Sequence, residues 1–259
     1  MPGAAHIGRA PPMKLALFAD VHSNLEAITA CLAHAQALGA GRFAFLGDLV
    51  GYGADPAAVL DLIGQYASEG AVVVRGNHDA AVAGRGNDRM NASAKAAIAW
   101  TRAQLCDRHL EFLAGLPLTV TDRNILFVHA SAAAPERWIY ITGAAEAESS
   151  IRAANTSYIF SGHVHEQRLY YMGAAGRPMP FRPVSGTPIP LDRNRKWLAI
   201  VGSAGQPRDR NTNACYALAD LGRDRLTFFR VPYDYASAAQ KIRSAGLPER
   251  LARRIERGV

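Results

Sequence analysis

Up to His165 the chain alternates short apolar runs with polar clusters, and each run stops at residues able to do chemistry. Lys14 to Ala19 is too short and apolar for a surface helix and reads as a buried strand. It stops at Asp20-Val21-His22-Ser23-Asn24, after which Leu25, Ile28, Cys31, Leu32, Ala35 and Leu38 fall at helical spacing. Phe43 to Leu46 makes a second strand ending at Gly47-Asp48, and Pro56 opens a helix whose face is Val59, Leu60, Ile63 and Gly64. Val72-Val73-Val74 is a third strand, ended by Gly76 and followed by Asn77-His78-Asp79. Ala80 to Arg89 reads as a loop over this edge, and Asn91 to Leu105 as a helix extended by Asp107 to Leu116. Ile125 to Val128 then ends at His129, and Tyr158 to Phe160 ends at Ser161-Gly162-His163-Val164-His165.

Beyond His165 the pattern changes to short β runs at 168–172, 181–184, 197–201, 215–220 and 226–231, separated by turn residues at hairpin-like intervals. They predict a second, largely antiparallel sheet packed on the first, covered by a terminal helix over Tyr235 to Ala245. This half is expected to supply core more than chemistry. The first twelve residues, rich in Ala, Gly and Pro, predict a flexible leader ahead of a single domain over residues 13–259.

Composition narrows the partners. With 259 residues, 49% of them hydrophobic, the chain can bury one substantial core. The net charge of +7 is scattered and partly gathered in Arg250, Arg253, Arg254 and Arg257. Such a basic helix reads as a solvated face, which argues against nucleic acid as the partner and accommodates an anionic substrate. Cys31, Cys106 and Cys215 are odd in number and lack CxxC spacing, which indicates a reducing compartment, read as the cytoplasm. No apolar run reaches the length of a membrane span, so no membrane partner is expected. The oligomeric state is left open.

In open α/β sheets ligands gather at the carboxyl ends of strands, which is where the polar clusters fall. Singly each has a plain explanation: Asp20 as a helix cap, Asp48 as a turn former, His129 as a core histidine, His163 and His165 as alternate faces of an edge strand. Jointly, Asp20, His22, Asp48, Asn77, His129, His163 and His165 make an oxygen-and-imidazole set large enough for two metal ions. Asp48 can bridge them with its two carboxylate oxygens. The absence of thiolate argues against structural zinc, and the donors suit Mn, Fe, Zn, Co or Ni. Two divalent ions against two carboxylates leave a positive pocket for which phosphate esters are the natural guests. Metals roughly 3.5–4 Å apart would activate a bridging hydroxide for in-line attack. His78, outside the ligand set, is the candidate general acid for the leaving alkoxide. Asp79, the second catalytic candidate, either orients that imidazole or caps the next helix.

Asp20-Val21-His22, Gly47-Asp48, Gly76-Asn77-His78-Asp79, Val128-His129 and Gly162-His163-Val164-His165 resemble the five motifs of the calcineurin-like metallophosphoesterases. The resemblance implies an α/β fold, a four-layer α/β/β/α sandwich of two mixed sheets. It also implies one metal on Asp20, His22, Asp48 and His165, a second on Asp48, Asn77, His129 and His163, and His78 as acid. The stretches 47–56, 136–140, 202–209 and 232–234 resemble a compact prokaryotic phosphodiesterase subgroup related to diadenosine tetraphosphatases and serine/threonine phosphatases. The implied activity is hydrolysis of a small phosphodiester or nucleotide, with dinucleoside polyphosphate hydrolysis as the alternative and protein phosphatase activity behind it. The chain departs from the pattern at Gly51-Tyr52-Gly53. The protein phosphatases and symmetrical tetraphosphatases have Asp-Arg-Gly there, the Arg binding phosphate and the Asp supporting the acid histidine. Arg75, Arg85, Arg168 and Arg208 are left as candidates for the missing phosphate contact.

Overall fold

The structure, a computed structural model, describes residues 14–86, 90–174 and 176–259; the expected leader and residues 87–89 of the expected loop lie outside these. In chain order the elements are β1 (Lys14–Phe18), α1 (Leu25–Ala37), β2 (Ala40–Phe45), α2 (Pro56–Ser68), β3 (Val72–Val73) and α3 (Asn77–Val82). There follow α4 (Ala92–Ala103), α5 (Asp107–Gly115), β4 (Thr119–Asp122), β5 (Ile125–Val128), α6 (Ala144–Ala153) and β6 (Tyr158–Ser161). The rest comprises β7 (Gln167–Met172), β8 (Pro178–Phe181), β9 (Ile189–Pro190), β10 (Lys196–Val201), β11 (Ala214–Asp220), β12 (Arg225–Val231), α7 (Tyr235–Ser244) and α8 (Glu249–Arg257).

The strands form two mixed sheets, ordered β3-β2-β1-β11-β12-β9 and β4-β5-β6-β10-β7-β8. β1, β2 and β3 run parallel, as do β5, β6 and β10, so the carboxyl ends of the early strands collect on one edge of each sheet. The late β runs therefore do not make a sheet of their own. β11 pairs antiparallel with β1, with Leu15 opposite Ala219, while β10 inserts between β6 and β7. Hairpin spacing reports that strands are near one another, but not which existing sheet edge they extend.

Side-chain alternation sets the layers. From β1, Leu15 and Leu17 face Phe127, Phe160, Trp197 and Ala199 of the other sheet in a shared inner core. The intervening Ala16 and Phe18 pack outward on Ile28 and Cys31 of α1 and on Leu60 and Ile63 of α2. On the far side Ile159, Leu198 and Ile200 meet Ala147 and Ile151 of α6. Helix, sheet, sheet, helix is the four-layer sandwich that the resemblance implies.

Three local readings are corrected. The helix expected to run from Asn91 to Leu116 is broken at Cys106, between α4 and α5, where the chain turns extended. Ala80, Ala81 and Val82 are helical and buried rather than loop. The basic helix read as a solvated face, α8, buries Leu251, Ala252 and Ile255 against Ala238 and Ile242 of α7, Ala94 and Ala97 of α4, and Tyr52. Among the described residues no helix is long and apolar enough to cross a membrane.

Candidate metal centre

The loops leaving β1 and β2 are laced together by backbone hydrogen bonds. Asp20 N–H donates to the Gly47 carbonyl, His22 N–H to that of Asp48 and Ser23 N–H to that of Leu49, at 2.9–3.0 Å. The close fit needs unusual backbone: Asp20, His22, Asp48, His163 and His165 all have φ between 49° and 68°. Non-glycine residues held in this region cost of order 1–3 kcal/mol each, and such strain gathers at functional sites. Gly76 is required for a different reason, since a Cβ there would run into the backbone nitrogen and Oδ1 of Asp48. From the second sheet, His129 follows β5, and His163 and His165 follow β6.

Seven side chains meet where these loops converge, and the ring tautomers show what the meeting point lacks. His22 Nδ1 lies 3.2 Å from the Val50 carbonyl and His165 Nδ1 lies 2.6 Å from that of Gln206. A carbonyl only accepts, so both Nδ1 atoms carry the proton and both Nε2 atoms present bare lone pairs. Those two Nε2 atoms face each other at 3.2 Å, with Asp20 Oδ1 3.4 Å from His165 and 4.0 Å from His22. The second group repeats the pattern. His129 Nδ1 donates to Leu46 O and His163 Nε2 to Trp138 O, leaving His129 Nε2 and His163 Nδ1 bare at 3.1 Å from each other. Asn77 Oδ1 stands 3.2 Å and Asp48 Oδ2 3.4 Å from the same His129 nitrogen.

Acceptors packed against acceptors repel unless something positive lies between them. One proton on His129 Nε2 could not serve three neighbours at 3.1–3.4 Å, so the donor set fits two cations better than it fits protons. Asp20 supports this: its Oδ2 accepts from His163 N–H at 2.8 Å, while its fully buried Oδ1 has no hydrogen-bond partner. Asp48 is divided in the same way. Its Oδ1 accepts from His78 N–H at 2.7 Å, and Oδ2 alone faces both groups, 3.7 Å from His22 and 3.4 Å from His129. Of the two oxygens expected to bridge, one is thus claimed by the amide opening α3, and Oδ2 is the one that would be left to both ions.

Burial governs the charges. It holds His22 and His165 well below the usual imidazole range and takes His163 down to about 3. Burial also disfavours charge on His129, but the adjoining Asp48 carboxylate outweighs this and raises the ring to about 9. Asp20 is pushed up to about 7, first by burial, whereas Asp48 stays well below the usual carboxylate range because His129 and His78 outweigh its burial. Three of the four rings, His22, His163 and His165, are thus held neutral, the form that coordinates metal, whereas His129 shares a proton with Asp48 that an ion would have to displace.

His78 lies beside this centre. Its ring packs on His22 and Tyr52 with centroids 4.8 and 4.4 Å apart, and its buried Nδ1 has no partner. Burial lowers it to about 4. The residue at position 51 must be glycine here, since a Cβ would stand 2.5 Å from His78 Nδ1. Asp79 does not orient this ring. Its Oδ1 accepts from Leu49 N–H and Val50 N–H and its Oδ2 from Gly76 N–H, at 2.9–3.2 Å. Of the two roles the sequence leaves open, the backbone cap is the one found, and Asp79 is withdrawn as a catalytic group.

A cavity of about 530 Å³ opens over the Asn77 and His163 side, walled by Tyr52, His78, Met90, Trp138, Tyr140 and Arg85 among others. Tyr140, 49% exposed, stacks on His163 with centroids 3.9 Å apart. Of the four arginine candidates, Arg75 is buried and donates to Ala114 O, and Arg168 is paired with Glu166 at 2.7 Å. Arg85 lines the cavity. Arg208 lies beside the centre, its backbone N–H donating to the His165 carbonyl and its Cζ 5.9 Å from the Tyr52 ring centroid. Two residues were missed from the sequence: Gln206, whose carbonyl holds His165, and Arg254 of α8, which shares Gln206 Oε1 with Arg208. The half beyond His165 therefore helps to build the site, where it is expected to supply core.

Residues 13–224 match the calcineurin-like phosphoesterase superfamily domain, and the chain belongs to this family of metal-dependent phosphoesterases. The uncharacterized protein MJ0912 of Methanocaldococcus jannaschii is 33% identical over 246 residues, 93% of this chain and 96% of its own. A metallophosphoesterase from Sphaerobacter thermophilus is 35% identical, with a TM-score of 0.84 over 95% of this chain and 99% of that one. The hypothetical protein PH1004 of Pyrococcus horikoshii OT3 shares the fold at 21% identity, with a TM-score of 0.77 over 95% and 99% of the two chains.

Proposed function

We propose that the protein is a dinuclear-metal hydrolase of a small phosphodiester or nucleotide. The observation that carries this reading is the pair of imidazole couples whose bare nitrogens face each other at 3.2 and 3.1 Å beside free carboxylate oxygens. Asp20, His22, Asp48 and His165 would hold one ion, and Asp48, Asn77, His129 and His163 the other. Once bound, two such ions would supply the charge that acidifies water and draws phosphate oxygens.

The chain's own residues do the rest. Val50, Gln206, Leu46 and Trp138 fix through their carbonyls which nitrogen of each ring is bare, so the ligands are oriented before any ion arrives. His78, lining the cavity next to Asn77, is placed to protonate a leaving alkoxide; with no acid behind Nδ1, the nearby Asp48 carboxylate and the phosphate's own negative charge would favour its protonated form against burial. The cavity has the volume of a small-molecule pocket, and its aromatic walls Trp138 and Tyr140 offer stacking for a base or an aryl group. This favours a nucleotide moiety and keeps dinucleoside polyphosphates as the second reading. The packing of α8 against Tyr52 supports one domain over residues 13–259, and three free cysteines agree with the cytoplasm.

The test is turnover of a chromogenic phosphodiester and monoester by metal-reconstituted protein. Activity on neither ester above that of His78→Ala would reject the reading. Product chromatography on a dinucleoside tetraphosphate separates the second reading from the first.

A further inference from the structure

Arg208 and Arg254 come from distant parts of the chain and meet over Tyr52. Arg208 sits in the loop after β10, where its N–H donates to the His165 carbonyl at 3.2 Å and its Nη2 to Gln206 Oε1 at 3.0 Å. Arg254 projects from α8 and donates through Nη1 to the same Gln206 oxygen at 3.5 Å. Two guanidinium groups thus share one neutral acceptor. Among the described residues no carboxylate lies within 4.0 Å of either, although their neighbours are paired: Arg230 with Asp209, Arg253 with Glu249, and Arg243 with Glu249 and Glu256. Arg208 Nε is buried and has no hydrogen-bond partner.

Two half-buried cations side by side without a counter-ion are unfavourable, because burial weakens the water screening that would otherwise separate them. After burial, Arg208 is the largest influence lowering Arg254. A protein keeps such an arrangement where an anion arrives to neutralise it, at a cost in stability when the anion is absent. The guanidinium fork matches the spacing of phosphate oxygens and can donate to two at once.

We propose that Arg208 and Arg254 form a phosphate clamp on the His22–His165 side of the centre, which takes the phosphoryl group or the next phosphate of a nucleotide. The clamp deepens the phosphoesterase reading and rests on it. Neither arginine is among the cavity's lining residues, which lie on the Asn77–His163 side. That separation divides the substrate. The aromatic cavity receives the organic group, and the arginines grip the phosphate from the opposite flank across Tyr52. The competing explanation is a brace in which the pair ties α8 to the loop after β10 through Gln206.

Inorganic phosphate, titrated by calorimetry into the metal-reconstituted full chain, is the direct probe. Arg208→Gln and Arg254→Gln are each expected to weaken phosphate binding by about tenfold or more. Metal content should stay at the wild-type value, the melting temperature in phosphate-free buffer should be equal or higher, and KM for the chromogenic diester should rise. Arg253→Gln, which alters a paired surface arginine, should change none of these. The clamp is overturned if the double variant binds phosphate as the wild type does, if the wild type binds none, or if both variants melt lower with unchanged phosphate affinity, as a brace would. Turnover separates the two ideas. An active enzyme whose double variant binds phosphate normally loses the clamp alone, whereas an inactive wild type whose variants lose phosphate keeps an anion site and loses the esterase.

Discussion

The two imidazole couples are alike in spacing and unlike in what holds them. His22 and His165 are anchored to Val50 and Gln206, in loops packed into the core, and His22 lies against Tyr52. His129 is anchored equally deeply, to Leu46, but His163 depends on the carbonyl of Trp138 and is covered by Tyr140. Trp138 has a φ of 54° and follows a single 3-10 turn over Pro135–Arg137, and Tyr140 is half exposed. One cation position is therefore framed by core backbone and the other partly by a surface loop beside the cavity. On the proposed two-ion reading this implies a division of labour: the first position would hold its ion more firmly, while the second would be coupled to whatever enters the cavity.

Asp48 belongs to both couples, so its loss should have the largest effect. Asp48→Asn removes the shared charge at Oδ2 and is expected to empty both positions, read as metal bound per chain by elemental analysis, with activity falling below that of any variant discussed next. His78→Ala should lower kcat by about 10²–10⁴-fold, the range of a general acid, with metal content unchanged. A full complement of metal in Asp48→Asn would remove the shared oxygen from the scheme, and an active His78→Ala would remove the acid.

Tyr140→Ala tests the asymmetry itself. Stripping the ring from His163 is expected to weaken metal retention at the second position by about tenfold, within the 10–100-fold typical of groups that support ligands, and to leave the first position filled. Stepwise chelation followed by elemental analysis would show one ion leaving early in the variant. Simultaneous loss of both ions in wild type and variant alike would mean that the two positions are equivalent.

What the sequence disclosed follows the range of the interactions. Strand, polar loop and helix are local, so Asp20, His22, Asp48 and Asn77 could be placed at strand exits by hydrophobic periodicity alone. The edge joined by β11 could not, because its pairing with β1 spans most of the chain. β4 is a half-exposed edge strand without a clear apolar face, and α6 is marked in the sequence only at its start, where Glu146 stands three residues after Gly143 and accepts from its N–H. Asp48's division between His78 N–H and the two couples, and the meeting of Arg208 with Arg254, arise only when separate segments touch. Arg254 looked like one more charge on a solvated helix because the buried face of α8 becomes visible only against Tyr52.

Asp79→Asn is expected to produce the smallest change and settles the neighbouring ambiguity. Both Asp79 oxygens accept from backbone amides, so an amide in its place loses one acceptor and sets an NH₂ against Leu49 N–H and Val50 N–H or against Gly76 N–H. The cost should be about 1–3 kcal/mol in stability, seen as a lower midpoint in denaturant. Asp79 makes no hydrogen bond to the His78 ring, so the pH dependence of kcat should keep the wild-type shape. A shifted acidic limb with unaltered stability would instead make Asp79 the partner of the acid. The backbone bonds joining the exits of β2 and β3 would then be incidental to the residue's purpose.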